Sequence, residues 1–128
     1  MTITEVSKQY DIPADTLRYY ERIGLIPSVP RSKSGFRDYD EESCRWVQFA
    51  KCMRNAGIQV EALIEYVDLV QQGDVTRDAR KQILLEQRDL LQAKIAEMQE
   101  TLRFLDTKID RYEQWNSEFE KNILKSSQ

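Results

Sequence analysis

The chain has 128 residues, 41% of them hydrophobic and 32% charged, with a formal net charge of −3 and no histidine. That length allows one compact domain plus an extension, and the apolar content suffices for a core. Without histidine there is no Ser–His or Cys–His nucleophile pair, no imidazole acid–base chemistry and no His-containing zinc site, so neither an enzyme nor a metal or other cofactor is expected.

Thr2-Ile3-Thr4-Glu5 has the form of a capping box, with Thr2 as N-cap and Glu5 three residues on. It predicts a first helix over about 3–10 that buries Ile3, Val6 and Tyr10. Asp11-Ile12-Pro13 interrupts it. Proline lacks an N–H and has a helix-compatible φ, so Pro13 can open a second helix over about 14–22, which Gly24 stops. Two short helices about a tight turn make a helix-turn-helix over 1–24, with Leu17 and Tyr20 facing inward and Thr16, Arg18, Tyr19 and Arg22 outward. The Pro/Gly/Ser-rich loop at 27–39 carries Arg31, Lys33 and Arg37 and no acid before Asp38. Cations beside hydroxyl-bearing aromatics, on a helix and then a loop, suit a surface that holds phosphates and enters a groove. Asp40 is placed to cap a third helix over 41–56, with Glu41 and Glu42 in its first turn. Gly57 ends it. A fourth helix over 60–71 is expected to bury Leu63, Ile64, Val67 and Val70 before Gly73-Asp74 closes a domain spanning 1–74.

Residues 75–128 differ in kind. Leu84, Arg88, Leu91, Ile95, Met98, Leu102, Leu105, Ile109, Tyr112, Asn116, Phe119 and Ile123 follow alternating steps of four and three, and all but Arg88 and Asn116 are apolar. No proline or glycine interrupts them, so a helix from about Thr76 to about Phe119 would run ~65 Å, followed by a short tail. A small body cannot bury so long a seam. The economical partner is a second copy, with Leu84, Leu91, Ile95, Met98, Leu102, Leu105, Ile109 and Tyr112 as its dimerisation contacts.

The acidic balance is concentrated at this end. Residues 1–57 hold nine Lys/Arg against eight Asp/Glu, and residues 58–128 hold ten against fourteen. A nucleic-acid-facing surface in the first half therefore need not share the global sign. Apolar runs fall far short of the ~18–20 residues of a membrane span, and no basic-then-apolar leader opens the chain, so a cytoplasmic protein with no membrane partner is expected. Cys44 and Cys52, eight apart on one predicted helix, lie ~12 Å apart along its axis, too far for a disulfide.

In this order and spacing, several segments resemble the MerR family of bacterial transcriptional regulators along nearly the whole chain. They are Ile3 to Val6, Thr16-Leu17-Arg18-Tyr19-Tyr20-Glu21, Gly24-Leu25-Ile26-Pro27, Arg31…Gly35-Phe36-Arg37-Asp38-Tyr39, Met53-Arg54-Asn55-Ala56-Gly57-Ile58 and the heptads. The resemblance implies an all-α fold with a small wing: a winged helix-turn-helix domain followed by a long dimerisation helix in an antiparallel coiled coil. It implies a homodimer on a pseudo-palindromic double-stranded promoter element, distorting the DNA so that RNA polymerase holoenzyme can use it. By position, Thr16 and Arg18 would approach base edges or groove-wall phosphates, and Tyr19 and Arg22 the backbone. Arg31, Lys33, Arg37 and Tyr39 would grip flanking phosphates, and Arg54 resembles a second-wing contact. Asp11 and Pro13 depart from the family's usual Gly and Ser; Asp tolerates a left-handed backbone and Pro starts helices, so the fold should hold. Tyr20, Phe36 and Tyr39 are equally readable as packing residues.

The family's metal sensors carry cysteines at the start of the dimerisation helix and beyond it, whereas no cysteine follows Cys52 here. Lys51-Cys52-Met53-Arg54 is similar to the thiol-based, aldehyde-responsive branch, which implies Cys52 as sensor of a reactive aldehyde or other electrophile, or of nitrosative stress. Lys51 and Arg54 favour the reactive thiolate, while the C-terminal end of the helix opposes it. Two alternatives stand beside this reading: a regulator answering a non-thiol signal, and a coiled-coil interaction protein without specific DNA binding.

Overall fold

The structure, a computed structural model, describes the backbone of residues 1–127 and the side chains of residues 1–115, 122 and 123. Its elements are α1 (Ile3–Tyr10), α2 (Ala14–Ile23), α3 (Glu41–Asn55), α4 (Val60–Gln71), a 3-10 turn (Asp74–Thr76) and α5 (Arg77–Ser127). Among the described residues there is no β-strand; the wing is a single antiparallel bridge between Arg31 and Arg37.

Local chemistry sets the helix ends. The Glu5 N–H donates to Thr2 Oγ1 at 3.2 Å and the Thr2 N–H to Glu5 Oε1 at 3.0 Å, which completes the capping box. Asp11 closes α1 at φ 54°, the left-handed region that an Asp can enter. Pro13 precedes α2, and its carbonyl accepts from the Leu17 N–H at 3.1 Å. Asp40 Oδ1 accepts from the Ser43 N–H at 2.8 Å and caps α3.

These helices bury one core. Val6, Leu17 and Val47 are fully enclosed, and Leu25, Ile26, Tyr39, Ala50, Leu63 and Val67 nearly so. Ile3, Tyr10, Tyr20 and Ile64 pack on the core's edge, half-buried, and Val70 is likewise half-buried, because the inward stripe of α4 is centred on Leu63 and Val67. Trp46, Phe49 and Tyr66 join α3 to α4 through edge and stacked ring contacts at 5.6–6.2 Å.

The first compact unit runs from Met1 to Asp89, past the boundary expected at residue 74, and the second begins at Leu90. Arg80, Ile83, Leu85 and Gln87 are half-buried, so the opening turns of α5 belong to the first unit. In the second unit α5 continues to Ser127, beyond the end expected near Phe119. Ile95, Met98, Leu102, Leu105, Ile109 and Tyr112 are 46–65% exposed in the single chain, and Leu84, in the first unit, is 41% exposed. Asn116 and Phe119 lie outside the described side chains. Leu90, Phe104 and Trp115 are also exposed although the heptad does not include them.

Candidate nucleic-acid interface

The wing is built by short-range hydrogen bonds. The Ser32 N–H donates to the Phe36 carbonyl at 2.8 Å, the Gly35 N–H to the Ser32 carbonyl at 2.9 Å, and the Asp38 N–H to the Pro30 carbonyl at 2.8 Å. Gly35 turns the tip at φ 85°, a conformation that side-chain-bearing residues resist. Phe36, at that tip, is 73% exposed, so it is not a packing residue in this fold. The base of the wing is tied to the chain's start by the Tyr39 N–H donating to the Met1 carbonyl at 2.7 Å.

On α2, Arg18 is exposed and pairs with exposed Asp15 at 2.8 Å, a contact worth little in water. The Arg22 guanidinium sits 5.3 Å from the centroid of the half-exposed Tyr19 ring, a cation–π arrangement that keeps both on the outer face. Thr16 is half-buried beside them. Thr2, Ile3, Thr4, Arg18, Arg31, Gly35, Phe36 and Arg37 line a cleft of about 540 Å³ between the helix-turn-helix and the wing. Three arginines and no carboxylate line it. That composition suits a polyanion whose charged edge enters the cleft.

Glu21, whose role no sequence pattern marks, is central to this site. Its side chain is only 9% exposed. Oε2 accepts from the Val29 N–H at 2.5 Å, Oε1 accepts from Arg37 Nε at 2.6 Å, and Arg31 stands 3.6 Å from the same oxygen. Burial pushes the Glu21 carboxyl upward, but the Val29 N–H and the two guanidinium groups outweigh it, and the net effect holds the group below the ordinary carboxylate value. An acid followed sixteen residues later by a wing arginine was the only signal available, and nothing local connects them.

Of the two readings open for Tyr39, a phosphate contact or a packing residue, its burial is that of a packing residue. Its ring is 1% exposed, and its hydroxyl is enclosed without a hydrogen-bond partner in the protein. The apolar ring completes the core where the wing returns to α3, and burial pushes its phenol above the usual value. Lys33 is exposed in the wing turn. Arg54 is exposed at the end of α3 and its Nη1 donates to the Ile58 carbonyl at 2.6 Å, so it is not part of the arginine cleft.

Both cysteines are free thiols; Cys52 is exposed and Cys44 half-buried, 3.9 Å from Met1 Sδ. Each cation flanking Cys52 is committed to a carbonyl, Lys51 Nζ to Tyr10 at 2.5 Å and Arg54 to Ile58. Among the described residues no cluster of metal-ligating side chains occurs, and no helix is long and apolar enough to cross a membrane.

A helix-turn-helix with a short wing and a cation-lined cleft between them defines the class of winged-helix DNA-binding proteins. The family model described as "MerR family regulatory protein" matches residues 2–39, and that described as "MerR, DNA binding" matches residues 44–108. The chain belongs to the MerR family. It is 58% identical over 91 residues to the HTH-type transcriptional regulator AdhR of Bacillus subtilis (strain 168), an alignment covering 71% of this chain and 65% of AdhR. It is 33% identical to heavy metal-dependent transcription regulator 2 of Rhizobium meliloti (strain 1021) over 82% of this chain and 71% of that protein. A MerR family regulator structure from Listeria monocytogenes superposes with a TM-score of 0.86 at 47% identity, covering 88% of this chain and 86% of that one. HiNmlR, described as a MerR family regulator lacking the sensor domain and bound to promoter DNA, matches with a TM-score of 0.81 at 26% identity, covering 88% and 90%.

Proposed function

We propose that the chain binds a pseudo-palindromic promoter element as a homodimer and distorts it to control transcription by RNA polymerase, in a pathway that removes reactive aldehydes or other electrophiles. The observation that carries the DNA-binding reading is the gathering of arginines, Arg18 and Arg31 foremost, along one cleft beside the outward face of α2. Thr16 and Arg18 reach base edges or groove walls; Tyr19, Arg22, Arg31, Lys33 and, at a second wing, Arg54 hold phosphates. Contacts of this second kind position the protein rather than select sequence. Dimerisation through the α5 seam explains six exposed apolar side chains from Ile95 to Tyr112 that a lone helix would leave in water. A dimer presents two such clefts to a two-fold element, and the similar protein HiNmlR is bound to promoter DNA.

Cys52 is the sensor in this reading, and its exposure on α3 supports it. The thiolate sulfur adds to an aldehyde carbon, the carbonyl oxygen takes up a proton from water, and a hemithioacetal results. Modification shifts the dimer only if one arrangement of the DNA-bound state accommodates the adduct better than the other. Transcription from the cognate promoter, with wild type and Cys52→Ser and with and without formaldehyde, is the test. An undiminished response in the variant removes the thiol from the mechanism. That outcome would favour a non-thiol signal.

A further inference from the structure

We propose that Glu21 is a positioning residue that fixes the wing on the recognition helix, and that Arg37 serves this linkage rather than a DNA phosphate. The inference rests on the DNA-binding reading above. One carboxylate ties three places together: α2, which carries it, the loop at Val29, and the returning arm of the wing at Arg37. Val29 is 4% exposed, so its N–H has little recourse to water if Glu21 withdraws. An unpaired glutamate at the edge of a phosphate-binding cleft would repel DNA. Neutralised by Arg37, it costs the interface little and aligns the wing.

The two wing arginines are then unequal. Arg37 is 22% exposed and bonded through Nε at 2.6 Å, whereas Arg31 is 48% exposed and stands 3.6 Å away. Arg31 keeps the freedom to reach a phosphate, and Arg37 does not. Glutamine at position 21 would preserve size but offer an NH₂ where either the Val29 N–H or Arg37 Nε–H needs an acceptor, so one bond must be lost.

The test uses the full-length dimer and a labelled duplex enriched by wild type from a random-sequence pool. Affinity is measured as a function of salt for wild type, Glu21→Gln, Arg37→Gln, Arg37→Lys and Arg31→Gln. Each phosphate neutralised contributes about −0.9 to the slope of log K against log salt. Arg31→Gln should bind more weakly with a slope shallower by about 0.9. Glu21→Gln and both Arg37 variants should lose about tenfold in affinity, the scale of one charge-assisted hydrogen bond, with the slope unchanged.

Simple electrostatics has the opposite sign for Glu21→Gln, since removing an anion beside DNA should strengthen binding. Equal or tighter binding by that variant overturns the proposal. So does a slope shallower by about 0.9 for Arg37→Gln, or full affinity for Arg37→Lys, because either makes Arg37 a phosphate contact. Amide hydrogen exchange at Val29 and Ser32, measured without DNA, should accelerate in Glu21→Gln and Arg37→Gln; unchanged exchange in both also overturns it. If wild type enriches no duplex, the DNA-binding reading fails alone, and the exchange experiment still decides whether Glu21 holds the wing.

Discussion

Replacing Tyr39 by Phe isolates one atom whose environment the fold makes unusual. The ring is 1% exposed and its hydroxyl has no hydrogen-bond partner within the protein, although burial has stripped it of water. Leaving a polar group in that condition costs about 1–3 kcal/mol, while Phe retains the ring and therefore nearly all the apolar burial. The expected result is a gain of about 1 kcal/mol, the low end of that range because the hydroxyl's departure also leaves a small void. For a chain of this length a kilocalorie corresponds to roughly 4 °C in Tm. Circular dichroism melts should be recorded at one fixed protein concentration, because the stability of a dimer depends on it. DNA affinity should stay within about twofold of wild type, since the hydroxyl is enclosed and does not itself line the arginine cleft. A lower Tm would refute the reasoning about the unpaired hydroxyl. A roughly tenfold loss of DNA affinity at unchanged Tm would instead return Tyr39 to the phosphate-contacting role that its sequence position suggests.

Glu21 should also leave a signature in pH. Its carboxyl is held below the ordinary 4.5 in the folded chain, so it contributes stability that is present above the unfolded value and lost as pH falls through the lower folded one. Urea unfolding between about pH 5 and pH 3 should therefore show wild type losing more stability than Glu21→Gln; parallel curves would mean that the carboxylate is not preferentially ionised in the fold. On α5, Leu102 is 58% exposed in the single chain, so Leu102→Lys should leave the melting of the first compact unit intact while abolishing the dimer in sedimentation equilibrium. Persistence of a wild-type dimer would show that the seam does not pair.

The ends of α1 to α4 could be read directly because their causes are local. A capping box spans four residues, and Pro13, Gly24 and Asp40 act within a turn of where they stand. Even the unusual Asp11 was legible, since its tolerance for φ 54° belongs to the residue itself. The outward cations on α2 and in the wing followed from the same periodicity and loop composition. Their pairing did not. Whether Arg37 meets a phosphate or Glu21, whether Tyr39 lies on the wing or under it, and whether Phe36 packs or projects depend on the path of the 27–39 loop over α2. That path is decided by contacts between residues ten to forty positions apart, such as Glu21 with Arg37 and Tyr39 with Met1. No periodicity encodes such contacts, because each exists only once the core has closed and brought both partners to the same side of it. The sequence by itself therefore determined the helices, their order and the cationic face, while the tertiary structure alone decided which of those cations the protein's own acids and carbonyls hold.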